Sequence, residues 1–193
     1  MRNKSSDGIT TVYMIRHAES DHTVREDFIR PLTRRGLADA NKLPEQLAGI
    51  PFAAIYSSPY LRAVQTVWPL AKSLALDCVL VNGLQERNLG MWVEDYDAFA
   101  KRQWEDFSFK LPEGESWLET QNRNIAALRR ILDAHHGETI AIGTHGEALG
   151  TMLRYFNPAF GFEDFWRIVP MLPYVIRLIF RGGECVAMEE MKS

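Results

Sequence analysis

Apolar residues along the chain gather in short continuous runs, separated by stretches with helical spacing. The run TTVYMIR, from Thr10 to Arg16, is apolar and β-branched, which predicts a buried strand. Leu37, Ala40, Leu43 and Leu47 recur at helical spacing and predict a helix over 33–47, with Thr33 as its N-cap. Pro44 conflicts with that helix and should kink or end it. AAIYS, residues 53–57, predicts a second strand. Ser58 and Pro59 then read as the N-cap and first position of a helix reaching about Leu74. Residues 115–135 predict a long helix, ETIAIGT at 138–144 a third buried strand, and Gly146 the start of another helix. YVIRLIFR, Gly182-Gly183 and ECVAMEEM read as a closing hairpin.

Strands alternating with helices predict an α/β fold: three α/β/α layers, a mostly parallel sheet and an antiparallel C-terminal hairpin. With no repeat or composition break, 1–193 reads as one domain. In such sheets ligands gather at the carboxyl ends of the strands. Arg16 and His17 directly follow the first strand, and His145 follows the third in GTHGE. Arg62 falls in the first turn of the helix after the second strand. Two arginines, two histidines and a helix N-terminus at one edge suit a phosphate group. Arginine offers forked, permanently charged donors, and a neutral imidazole can act as a nucleophile.

Composition narrows this further. With 46% hydrophobic and 24% charged residues, the chain is not a disordered one. A net charge of -3 gives no electrostatic footprint for nucleic acid, so an anionic ligand must be attracted by locally placed arginines. Cys78 and Cys185 are far apart, lack metal-ligand spacing, and read as buried small hydrophobes in a reducing compartment. His135 and His136 precede Gly137 and read as a helix end, not a metal site. The N-terminus lacks the apolar stretch of a secretory signal, and no run is long enough to cross a bilayer. The expectation is a cytoplasmic protein with no membrane or nucleic-acid partner.

The ordered motifs resemble the histidine phosphatase, or phosphoglycerate-mutase-like, superfamily. RHAES looks like its Arg-His-Gly-Glu motif with Ala18 in place of glycine. PLTRRG, SSPYLRAVQT, LQERNLGMW, EGES and THGEAL look like the later landmarks, in family order from Arg16 to Leu149. The resemblance implies that fold and a phosphatase of small phosphorylated metabolites needing neither cofactor nor metal. It also implies roles. His17 would attack phosphorus and carry the phosphoryl group. Arg16, Arg62 and His145 would bind its oxygens, and Glu86 would serve as acid and then base. Gly146, Glu147 and Thr23 would contact substrate. A mutase, a protein phosphatase and a non-catalytic phospholigand sensor are the alternatives. The mutase is disfavoured because residues 86–113 hold only Arg87, Lys101, Arg102 and Lys110 as basic groups. A sensor would need neither nucleophile nor acid.

The chain departs from the family pattern in three places. Thr23 stands where the family often has asparagine, and Trp92 is followed by Val93 and Glu94 instead of Glu-Gly. Glu147 stands where a small or amide residue is usual, and would repel phosphate unless protonated, turned away or paired with a cationic group of the substrate. Trp92, Tyr96, Phe99, Trp104, Phe107 and Phe109 read either as ordinary packing or as a lid over about 91–114. The oligomeric state is not legible.

Overall fold

The first buried run becomes β1, Ile9–Arg16, in the middle of a six-stranded sheet. The computed structural model describes residues 8–91 and 93–191, apart from the side chain of Asp97. In chain order the other strands are β2 (Phe52–Ser57), β3 (Cys78–Leu80), β4 (Thr139–Thr144), β5 (Tyr174–Arg181) and β6 (Glu184–Glu190). They lie in the order β3-β2-β4-β1-β5-β6. The first four positions pair in parallel, and β5 and β6 add antiparallel to β1 as the predicted hairpin. Gly182 and Gly183 take φ of 58° and 85°, the left-handed pair that a two-residue hairpin turn requires.

Helices cover both faces: α1 (Arg34–Ala40), α2 (Leu43–Gln46) and α3 (Leu61–Ser73), then α4 (Tyr96–Glu105), α5 (Trp117–Ala134), α6 (Gly146–Phe156) and α7 (Phe162–Ile168). Alternation along β1 divides the core. Val12 and Met14 pack with α5, α6 and α7, while Tyr13 and Ile15 pack with α2 and α3. This is the expected three-layer arrangement.

Three expectations need correction. The helix over 33–47 is two helices, broken before Pro44, which sits in the first turn of α2 where its missing N–H costs nothing. Thr33 does cap α1, accepting from the Gly36 N–H at 2.9 Å. The break turns Leu37 outward, while Ala40, Leu43 and Leu47 stay buried. The helix after β2 starts at Leu61, not Pro59, and Tyr60 is its N-cap. The Ser58 hydroxyl is drawn instead to Nε2 of His145, 2.7 Å away. Cys78 and Cys185 are free but only half-buried, on the two outermost strands. Among the described residues no helix is long and apolar enough to cross a membrane.

Candidate active site

Register brings three strand ends level. Arg16 pairs with Thr144, and Ser57 with Gly143, so His17, Ser58 and His145 leave the sheet side by side. Main-chain bonds from the His17 and Ser58 N–H groups to the Thr144 and Gly143 carbonyls, 3.0 and 2.9 Å, carry that order past the strands. α3 is stitched to the same edge. Thr66 accepts from the Ala18 N–H at 3.0 Å and donates to the Arg62 carbonyl at 2.7 Å.

The His17 and His145 rings meet edge to face, 5.4 Å apart. Nδ1 of His17 lies 2.7 Å from the Ala18 carbonyl, so it carries the proton and Nε2 keeps its lone pair. Burial, with Arg62 beside it, holds the His17 imidazole well below its ordinary range and therefore neutral near pH 7. His145 is buried completely, and desolvation together with Arg62 lowers it in the same way. Its Nδ1 has no hydrogen-bond partner among the described residues.

Arg16 donates through Nη1 to the carbonyls of Val169 at 2.8 Å and Ile168 at 3.2 Å, at the carboxyl end of α7. Its guanidinium lies so close to α6 that a Cβ at Gly146 would sit 3.2 Å from Nε. Arg62 is 2% exposed and is held by Asp27, through the carbonyl at 2.7 Å and the carboxylate at 3.2 Å. These groups form one end of a cleft of about 670 Å³, which Glu86, Arg87, Gly146 and Glu147 also line.

Glu86 comes from the irregular segment after β3. Its carboxylate accepts from the N–H groups of Arg87, Glu147 and Ala148 at 2.9 to 3.1 Å, and so seats on the first turn of α6. Arg123 of α5 holds that segment from behind, donating to the carbonyls of Gln85 and Glu86 at 2.8 and 3.0 Å. Glu147 lines the cleft, but Arg87 binds it in a fork at 2.8 and 3.0 Å and the Tyr96 hydroxyl also donates to it. Thr23 is not among the cleft walls, and its hydroxyl is turned to Asp21 at 2.7 Å.

A profile of the histidine phosphatase superfamily (branch 1) matches residues 12–190. The chain belongs to that superfamily. A probable phosphoglycerate mutase GpmB of Proteus mirabilis is 28% identical over 155 residues, 74% of this chain and 72% of that one. The solved Bacillus stearothermophilus YhfR superposes with a TM-score of 0.76 at 28% identity, over 91% of this chain and 94% of that one. Phosphoserine phosphatase from Entamoeba histolytica, solved with 3-phosphoglyceric acid, gives a TM-score of 0.75 at 23% identity, over 95% and 98%. At that identity the likeness is one of fold.

In this member of the superfamily the partners of the motif residues do not follow from the motifs. Asp27, Arg87 and Arg123 carry no pattern of their own in the sequence. The one signal was Glu147, a carboxylate at a motif position where a small or amide residue is usual, and its partner is a protein arginine, not a cationic group of the substrate. Of the aromatic segment, Trp92 lies outside the described residues. Trp104 and Phe107 pack on Trp117 in the core, whereas Tyr96 faces the cleft. His135 caps α5 and bonds Glu138 and Tyr56 through its two ring nitrogens, at 2.6 and 2.7 Å.

Proposed function

We propose that this protein hydrolyses a small-molecule phosphate monoester through a phosphohistidine on His17, without a metal ion. One observation carries the reading. The His17 imidazole is neutral, its Nδ1 proton is tied to the Ala18 carbonyl, and its Nε2 lone pair is left beside two arginines. In the first step Nε2 forms a bond to phosphorus while the ester P–O bond breaks, and Glu86 gives a proton to the leaving oxygen. In the second step Glu86 takes a proton from water, which displaces phosphate from Nε2. Arg16 and Arg62 supply the positive charge that the phosphoryl oxygens need in both transition states. His145 is not among the cleft walls and supports the site by packing edge to face on His17. Of segment 91–114, Met91 and Tyr96 edge the cleft and would cover the substrate there, while Trp104 and Phe107 belong to the core.

Hydrolysis is favoured over mutase chemistry by what occupies the basic residues between Glu86 and Glu113. Arg87 is spent on Glu147, Lys110 pairs with Glu119 at 2.7 Å, and Arg102 stacks 3.8 Å above Phe109. A mutase must hold its product acid for the return of the phosphate; these three groups are engaged elsewhere, and Lys101 is not among the cleft walls. The test is phosphate release from a panel of phosphorylated metabolites, with and without excess EDTA. Turnover unchanged by the chelator, and abolished in His17→Ala, is the expected result. Loss on chelation that a divalent ion restores would contradict the mechanism.

A further inference from the structure

The phosphate end of the cleft says nothing of the alcohol that phosphate is attached to. That information lies on the Glu86 side, where the leaving oxygen must sit if the proposed function is right, and the inference rests on that reading. Two charged residues flank Glu86 there. Arg87 follows it in sequence, and Glu147 donates its N–H to the Glu86 carboxylate at 3.1 Å. Both line the cleft, with side chains 0% and 8% exposed.

Their mutual geometry fixes their charge. Nε and Nη2 of Arg87 donate to the two Glu147 oxygens, and the Tyr96 hydroxyl adds a third donor. A guanidinium that faces both carboxylate oxygens in a fork is the geometry of an ionised carboxylate. Burial pushes Glu147 upward, and Arg87 works against that. The pair therefore contributes no net charge to the cleft. Nη1 of Arg87 has no partner among the described residues but is buried with the rest of its side chain, so the pair presents no accessible cation to the cleft.

We propose that the Arg87–Glu147 pair selects phosphate esters of uncharged alcohols and discriminates against those carrying a carboxylate. A neutralised pair with no counter-charge to spare suits an uncharged group of the substrate. A substrate carboxylate would instead meet Glu147 at close range with its counter-cation already taken, and would lose its hydration without replacement. The other basic groups of the cleft do not reverse this. Arg30 is bound to Asp27 at 2.8 Å and to the Val24 carbonyl, and Arg62 is needed for phosphate. His22 and Arg25 stand on the exposed rim, where solvent screens their charge. Leu89, Phe165, Val169 and Leu172 complete the walls with apolar surface.

A matched pair of esters tests this. Glycerol 1-phosphate and 3-phosphoglycerate differ at one carbon, a hydroxymethyl group in the first and a carboxylate in the second. The wild-type protein is expected to favour the first in kcat/KM by at least about tenfold. Glu147→Gln keeps the acceptor for Tyr96 but frees the Arg87 charge. It should reduce that preference at least about tenfold, chiefly through a lower KM for the acid. Adding Arg87→Gln to that variant should restore the preference. A wild type that favours the acid, or a Glu147→Gln variant that changes both esters by one factor, overturns the proposal. Calorimetric binding of the same two esters to wild type reads the preference without turnover. Binding that follows the predicted order in a protein releasing no phosphate would sink the hydrolase reading and leave the selectivity standing.

Discussion

Arg62 meets two demands at once. Its guanidinium is almost fully buried, with Asp27 already occupying two of its nitrogens, yet it lines the same cleft as His17. A planar fork can hold a carbonyl with one edge and turn the other to phosphate, which a lysine ammonium on a flexible stem cannot do. Arg62→Lys should therefore lower kcat by roughly 10²–10³-fold despite the conserved charge, as for other groups that stabilise transition-state charge. Steady-state kinetics with p-nitrophenyl phosphate measure this, and a variant within a few-fold of wild type would place Arg62 outside the chemistry. At this scale the sequence was legible wherever a residue's position followed from a strand end. Arg16, His17 and His145 stand at the edge because the backbone puts them there. The partners of Arg62 and Glu147 were not legible, because Asp27 and Arg87 reach them across 35 and 60 residues of chain. Thr23 was assigned to the substrate by position alone, and a local bond to Asp21 claims its hydroxyl.

Elements that carry their own punctuation were read closely. The long helix α5 has Ser116 accepting from the Glu119 N–H at 3.1 Å while Glu119 accepts from the Ser116 N–H at 2.8 Å, a complete capping box. The hairpin has its two left-handed glycines. β3, α4 and α7 are not legible in the pattern, even though Asp95 caps α4 and Asp164 accepts from the Gly161 N–H at the start of α7. β3 is a three-residue edge strand, and α7 is a seven-residue helix burying only Phe165 and Ile168. Pairing and packing with distant segments, and not local pattern, decide such elements. The α5 cap also bears on the site, since this helix presents Arg123 to the segment holding Glu86. Ser116→Ala should cost about 1 kcal/mol of stability. The urea unfolding midpoint measures it, and an unchanged midpoint would mean that Glu119 alone secures the first turn.

At the scale of the whole molecule, the sheet works as a frame with a separate core on each face. The frame holds the ends of β1, β2 and β4 level, while α5 and α6 together seat Glu86 opposite them. His17 and Glu86 thus line one cleft, and the central claim is that they act in sequence, as nucleophile and acid, through a phosphoenzyme. Glu86→Gln separates the steps. With p-nitrophenyl phosphate the leaving phenolate needs no proton, so His17 should still be phosphorylated, while hydrolysis should stall without its base. Rapid mixing of this variant with labelled ester should give a burst of nitrophenol and a label on His17 that survives base and is lost in acid. No burst and no label, or a label that persists when His17 is replaced by alanine, would contradict the account.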